Sequence, residues 1–272
     1  DADTELEGSA LSMKKICVYG KGGIGKSTTV SNLAAAMAES GLKVAVVGCD
    51  PKSDSTRNLA GRRIPTVLDI LREDSGGQVA FLGYRDILCI EAGGPEPGTG
   101  CAGRGIIAAM QEIRSRQLLD HRDVVLYDVL GDVVCGGFSM PLREGIADDV
   151  YLVTTSDFMA IYAANNICRG IRKYAQSGSV RLAGIIHNGR SSVDNPETVA
   201  AFASCVGSNV IGYIPMTSAI GQAELSRKTL LEAEPEHPVS GHFRTLAKAI
   251  LENSHSCIPT PLSDEEVESL CR

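Results

Sequence analysis

The sequence predicts an α/β protein with a doubly wound, mostly parallel sheet of about seven or eight strands and helices on both faces. Two observations lead to this class. Short runs rich in Val and Ile alternate with longer segments whose apolar residues recur every three or four positions, as in βαβ units. A glycine-rich turn also joins the first predicted strand to the first predicted helix. Because no linker-like stretch divides the chain, residues 13–272 are predicted to form one domain.

The individual elements follow from these patterns. Strands are predicted at residues 15–19, 44–48, 87–91, 124–128, 150–154, 182–187 and 209–214. Helices are predicted within 26–41, 105–119, 157–178 and 196–207, the first of them stopping at Gly41. Ligands of such a sheet collect at the carboxyl ends of its strands, so the residues just after each strand are the candidates for function.

Composition limits the kinds of partner. The chain has 43% hydrophobic and 22% charged residues, and it contains no apolar run of membrane-spanning length. Its net charge of −7 disfavours nucleic acid as a partner. Residues 1–12 are polar and lack the apolar core of a signal peptide, so we interpret them as a disordered extension or an expression remnant. A cytoplasmic location follows as an expectation. In that reducing compartment the nine cysteines are expected to bind metal or to be buried, not to form disulfides.

The segment "GKGGIGKS", Gly20 to Ser27, is a phosphate-binding loop of the P-loop type. Its glycines, among them Gly22, Gly23 and Gly25 around Ile24, let backbone N–H groups converge on phosphate oxygens at a helix N-terminus. Lys26 is predicted to pair with the β- and γ-phosphates and Ser27 to ligate Mg²⁺. The chain is therefore predicted to be a P-loop NTPase.

A second lysine, Lys21, lies inside this loop, where a simple P-loop needs none. Its position resembles that in the deviant Walker A group of ATPases, in which this lysine reaches the nucleotide of the partner subunit. That resemblance implies that Lys21 couples nucleotide binding to dimer geometry. The alternative is a solvated loop lysine.

Acidic residues follow two further strands. Asp128 closes an apolar run and suits the Walker B role of holding the Mg²⁺ shell, and Asp132 just beyond it could respond to the γ-phosphate. Asp50 and Asp54 follow the second strand and are candidates for positioning water or metal. Acids at strand ends are often only helix caps, so this alternative stays open for each of them.

Two of the cysteines, Cys101 and Cys135, lie in glycine-flanked loops after strands, whereas the others lie mostly in apolar contexts or near the tail. A 4Fe-4S cluster needs four thiolates, and a two-fold dimer would supply two from each subunit. Inert loop cysteines are the alternative. Because Cys135 closely follows Asp132, a segment that responds to ATP hydrolysis would be covalently joined to a cluster ligand.

Six segments carry a family resemblance. They are "YGKGGIGKSTT", "GCDPKSDST", "GGPEPGTGCAGRG", "YDVLGDVVCGGF", "YAANN" and "SGSVRL". Together they resemble the nitrogenase iron protein family, which includes reductase components of chlorophyll biosynthesis, of a nickel-tetrapyrrole cyclase and of methylthio-alkane reductases. The resemblance implies a homodimer bridged by a 4Fe-4S cluster. Such a dimer passes single electrons, received from a ferredoxin or flavodoxin, to a separate nitrogenase-like catalytic partner as MgATP becomes MgADP.

The resemblance also assigns roles to residues. It implies that Cys101 and Cys135 are the cluster ligands and that Thr28 joins the phosphate and Mg²⁺ contacts. The remaining assignments are Asp50 and Asp54 to a first switch, Asp128 and Asp132 to a second, Asn188 and the loop at Pro215 to the base and ribose, and Arg104, Arg143 and Glu144 to partner docking. For the docking arginines, a solvated surface is the alternative.

Some features depart from the nitrogenase pattern. Met216 and Thr217 stand where nitrogenase iron proteins usually have Arg-Asp, a segment near residue 80 looks shorter, and the tail is shorter. We therefore expect a nitrogenase-like reductase, nearest the nickel-tetrapyrrole and methylthio-alkane systems, rather than nitrogenase itself. Two other functions remain open: a cluster-free ATPase that positions cargo, disfavoured by the acidic tail, and an ATPase that delivers iron–sulfur clusters to acceptors.

Overall fold

The computed structural model describes residues 13–73, 76–94, 102–131, 146–176 and 178–272. Its eight strands form one sheet in the order β3-β4-β2-β5-β1-β6-β7-β8. Their bounds are Lys14–Gly20 (β1), Val44–Gly48 (β2), Phe81–Leu82 (β3), Leu88–Glu91 (β4), Val124–Leu130 (β5), Asp149–Thr154 (β6), Arg181–Asn188 (β7) and Val210–Ile214 (β8). β3 pairs antiparallel with β4, and the other paired strands are parallel.

Helices cover both faces of this sheet. Their bounds are Lys26–Glu39 (α1), Arg57–Ala60 (α2), Val67–Glu73 (α3), Ala102–Ser115 (α4), Phe158–Tyr174 (α5), Pro196–Cys205 (α6), Ser218–Leu225 (α7), Leu230–Ala233 (α8), Pro238–Glu252 (α9) and Asp264–Leu270 (α10). One face carries α1, α2, α7, α8 and α9, and the other carries α3, α4, α5, α6 and α10. The predicted doubly wound α/β architecture is confirmed.

The strands that hold the site lie at the centre of the sheet. β1 and β2 both pair with β5 and are buried along most of their length, because each is covered on its two faces. All seven predicted strands are present, and their ends differ from the predicted ends by at most two residues. The parallel strands bring the carboxyl ends of β1, β2, β4 and β5 to one edge of the sheet.

The sequence patterns missed several elements. β3 has two residues and shows no alternation, so its antiparallel pairing with β4 was not predicted. The helices after residue 217 were missed as well, although α9 begins with a favourable Pro238 and buries Val239, Phe243, Leu246 and Ile250 at helical spacing. Among the described residues, every helix falls short of the length and apolarity that a bilayer crossing requires.

Candidate functional site

The phosphate-binding loop lies between β1 and α1. Gly23 and Gly25 have φ values of 74° and 90°, in the left-handed region that favours glycine. A Cβ on Gly25 would lie 2.5 Å from Asn188 Nδ2, so this glycine also allows β7 to approach the loop. Asn188 Nδ2 in turn donates a 2.7 Å hydrogen bond to the Ile24 carbonyl oxygen. The loop is held by backbone conformation and by a neighbouring strand, because the N-cap residue of α1 is Gly25, which has no side chain to cap the helix.

Replacing Gly25 by Ala should therefore damage the nucleotide site. The change combines left-handed strain of about 1–2 kcal/mol with a clash against Asn188. Gly41→Ala is the matched control, because Gly41 has a φ of 89° but no atom within 4 Å of the added Cβ. We expect Gly25→Ala to weaken MgADP binding in calorimetry by at least about tenfold. Equal MgADP affinities in the two variants would contradict this description of the loop.

Lys26, at the start of α1, and Asp128, on β5, form a buried ion pair. The Lys26 ammonium contacts Asp128 Oδ1, and the two residues are 4% and 0% exposed. The second oxygen, Asp128 Oδ2, is buried and has no hydrogen-bond partner among the described residues. A buried carboxylate oxygen without a donor fits an acid that faces an external cation, as the Walker B role requires. The residues present thus fit a Mg²⁺ nucleotide.

One cleft of about 230 Å³ collects most of the predicted phosphate residues. Its lining includes Lys21, Gly22, Gly23, Gly25, Lys26, Ser27, Thr28, Asp50 and Asp54. Asp50 is buried, and its Oδ1 accepts a 3.0 Å hydrogen bond from the Lys52 N–H, whereas Asp54 is exposed. The loop after β2 therefore brings two carboxylates to the P-loop.

Two basic residues of this cleft were missed. Lys52 lies between the two predicted acids and lines the cleft, and Arg190 Nη1 donates a 2.9 Å hydrogen bond to the Gly23 carbonyl oxygen. The signal for Lys52 was its place in "DPKSD", between the two candidate acids Asp50 and Asp54. For Arg190 the signal was its position two residues after Asn188 in "HNGR".

A second cleft of about 280 Å³ adjoins the first and is bounded by Asn188 and Pro215, the predicted base contacts. Met216 is 67% exposed at its rim. Thr217 caps α7, because its hydroxyl oxygen accepts a hydrogen bond from the Ala219 N–H. The residue pair that departs from the nitrogenase pattern thus lies at this cleft, and Thr217 has a capping role there.

A carboxylate missed by the sequence analysis also lines this second cleft. Glu224 Oε1 accepts hydrogen bonds from the Thr28 hydroxyl and, at 3.4 Å, from Asn58 Nδ2. No sequence motif surrounds Glu224, so its place in the site depends on the docking of α7 against α1.

The seven cysteines in the described part of the chain do not form a metal site. Cys17, Cys49, Cys89 and Cys168 are buried, Cys205 is exposed, and Cys257 and Cys271 are intermediate. Burial raises the pKa of the Cys17, Cys49 and Cys168 thiols, as expected of small buried hydrophobic residues. Within the described ranges, no three His, Cys, Asp or Glu side chains are grouped so that they could hold a metal ion.

Five predicted site residues lie outside the described residues: Cys101, Asp132, Cys135, Arg143 and Glu144. The described chain nevertheless fixes where their segments begin. The first leaves the carboxyl end of β4 and enters α4, in whose first turn Arg104 is exposed. The second follows β5, whose last residue, Leu130, lines the phosphate cleft. Both segments therefore start at the edge of the sheet that holds the P-loop.

A strand, a P-loop and a helix with a buried lysine–aspartate pair define a P-loop nucleotide-binding protein. Residues 14–272 match the profile of the family described as 4Fe-4S iron sulfur cluster binding proteins, NifH/frxC family. The chain belongs to this family. It is accordingly an ATP-hydrolysing, electron-donating reductase component whose cofactors are a 4Fe-4S cluster and MgATP.

Individual relatives agree with this membership. The chain is 52% identical over 266 residues to the nitrogenase iron protein of Methanococcus voltae, covering 95% of each chain. It is 50% identical over 277 residues to nitrogenase iron protein 2 of Methanothermococcus thermolithotrophicus, again over 95% of each. The solved structure of the cell division ATPase MinD of Pyrococcus furiosus is similar in fold, with a TM-score of 0.71, 21% identity, and 88% of this chain and 98% of that chain covered.

Proposed function

We propose that the protein works as a homodimer in which one 4Fe-4S cluster bridges the two subunits. Cys101 and Cys135 of each subunit are its ligands, and the dimer passes single electrons to a nitrogenase-like catalytic component. A ferredoxin or flavodoxin in the cytoplasm supplies the electrons. The catalytic component of nitrogenase itself is among the possible partners, because the relatives that are 52% and 50% identical to this chain are named nitrogenase iron proteins.

One observation carries the proposal. The two segments that bear the glycine-flanked cysteines start from β4 and β5, at the edge of the sheet that holds the phosphate cleft. A single chain offers two such thiolates, and a two-fold axis supplies the other pair. Nucleotide and cluster would therefore share the same side of the subunit.

The chain's own residues bind the nucleotide and convey its state. Lys26, Ser27 and the backbone of the P-loop would hold the phosphates and Mg²⁺, with Asp128 facing the metal shell. Asp128 lies on β5, which ends at Leu130, and Asp132 and Cys135 follow Asp128 by four and seven residues in the sequence. A displacement at the phosphate would therefore have only a short stretch of chain to cross before it reaches a ligand. The cluster, when bound, supplies a store for one electron.

Surface residues complete the proposal. Lys21 lines the cleft and is half-buried, and we assign it to the nucleotide of the partner subunit. Arg104 is exposed in the first turn of α4, close in sequence to Cys101. With Arg143 and Glu144 it would form the face that docks on the catalytic component.

A redox titration of the anaerobic protein with and without MgATP tests this function. A reductase should take up one electron reversibly, with a potential that depends on the nucleotide. A protein that instead hands its iron to an apo-acceptor, without reversible reduction, would be an iron–sulfur scaffold, and the proposal would be wrong.

A further inference from the structure

A buried glutamate at the end of β4 lies behind the phosphate cleft. Glu91 is 1% exposed. Its Oε1 accepts two hydrogen bonds from Thr56, at 2.6 Å from the backbone N–H and 2.7 Å from the hydroxyl. Its Oε2 is buried and has no hydrogen-bond partner among the described residues. Because buried carboxylates are rare and costly, this one requires an explanation.

The contact joins two parts of the site. Thr56 ends the loop of residues 50–56, whose Asp50 and Asp54 line the phosphate cleft. Glu91 ends β4, and the chain continues from it through residues 92–94 toward Cys101. The backbone N–H of Thr56 is itself a donor, so the loop cannot shift at this residue without moving Glu91 or breaking both hydrogen bonds.

The backbone of β2 leaves room for this carboxylate. A Cβ on Gly48 would lie 2.1 Å from Glu91 Oε2, so only glycine allows the carboxylate to pack against the strand that leads into the 50–56 loop. β2 and β4 are paired directly, with Gly48 opposite Glu91. The side chain is thus enclosed between β2, β4 and the loop.

The electrostatic surroundings make Glu91 sensitive to charge at the site. Burial raises its pKa to about 7, the Thr56 hydrogen bonds oppose this, and the carboxylates of Asp128 on β5 and Asp54 on the loop add to the increase. The buried thiols of Cys49 and Cys89 also face it. Near neutral pH, Glu91 is therefore only partly ionised, whereas an ordinary glutamate would be fully ionised.

We propose that Glu91 is a positioning residue that carries a displacement of the 50–56 loop to the end of β4, and so toward the segment that bears Cys101. The inference rests on the proposed function, because it gives the nucleotide site a route to the Cys101 ligand. This route runs through a side chain and is separate from the one that starts at Asp128 on β5 and continues along the chain to Cys135. It requires only residues of one subunit.

Hydrogen exchange on the full-length anaerobic protein tests the proposal. In the wild type, MgADP should slow amide exchange in the 50–56 loop and also in residues 88–94. In Glu91→Leu, which removes the acceptor of both Thr56 hydrogen bonds, the effect in the loop should remain and that in residues 88–94 should shrink by at least about threefold. Thr56→Val should reduce it similarly, and Thr154→Val, a buried threonine at the end of β6, should not.

The pH dependence of stability tests the burial and protonation of Glu91 independently of the hydrogen-exchange experiment. Because folding raises the pKa of Glu91 from its ordinary value of 4.5 to about 7, the native state binds more protons than the unfolded state in the pH range between these two values. Stability should then fall as pH rises, with the folded-to-unfolded ratio decreasing about twentyfold from pH 5.5 to 7.5 through this group alone. Glu91→Gln should lack this component.

The outcomes decide between the alternatives. Full MgADP protection of residues 88–94 in Glu91→Leu, or none in the wild type, would overturn the proposal. If Glu91→Leu does not fold, Thr56→Val decides the question on the same criterion. The result does not depend on electron transfer, so a protein that shows this coupling but fails to reduce a partner would contradict the proposed function alone.

Discussion

Lys26→Gln is expected to lose at least about a hundredfold in the rate of ATP hydrolysis, measured as phosphate release. The wild-type ammonium is buried at the start of α1 and contacts Asp128, so it lies where charge on transferring phosphate oxygens would be neutralised. A neutral amide cannot supply that charge. ATP-driven electron transfer should fall in parallel, while the iron content should stay at the wild-type level because the cysteines are unchanged.

The buried pair calls for a stability control. Removing Lys26 alone leaves the Asp128 carboxylate uncompensated, which costs about 3–5 kcal/mol in comparable buried pairs. The double variant Lys26→Gln with Asp128→Asn removes both charges and should recover much of the free energy of unfolding, but no hydrolysis. Wild-type hydrolysis in either variant would contradict the assignment of Lys26.

Replacing Cys101 or Cys135 by Ser is expected to abolish iron binding. The anaerobic wild-type dimer should be brown and contain about four irons, and each variant should contain almost none, because one change removes two of the four thiolates from a dimer. The measurements are iron content and visible absorption.

Cys205→Ser is the matched control for these variants. Cys205 is exposed at the end of α6, so its replacement disturbs no packing and should leave the iron content unchanged. Retention of iron by Cys101→Ser, or loss of iron from Cys205→Ser, would contradict the assigned ligand set.

The sequence predicted the sheet well because its strands are buried on both faces. Such strands appear as continuous apolar runs between glycine-rich or polar turns, and β1, β2 and β5 were found within two residues of their observed ends. β3 was missed because two residues carry no period, and its pairing depends on the turn at residues 84–86. Its antiparallel direction is a tertiary result that no local pattern encodes.

The site was predictable where a motif is contiguous and not where it is assembled by packing. The P-loop and the acids of β5 and of the loop after β2 are local in sequence. Asp50 and Asp54 line one cleft with the P-loop, and Asp128 contacts Lys26 of that loop. Arg190, Glu224 and Glu91 enter the site or its support through contacts across many residues. Neither hydrophobic periodicity nor local motifs predict such contacts.

In the proposed function, the nucleotide in the phosphate cleft sets the environment of the cluster. The most direct measurement is the reduction potential of the anaerobic wild-type dimer with and without MgATP, with Lys26→Gln measured alongside. We expect a shift of about 60 mV or more in the wild type, which is a tenfold change for a one-electron couple, and a much smaller shift in the variant. Identical wild-type potentials in the presence and absence of MgATP would contradict it.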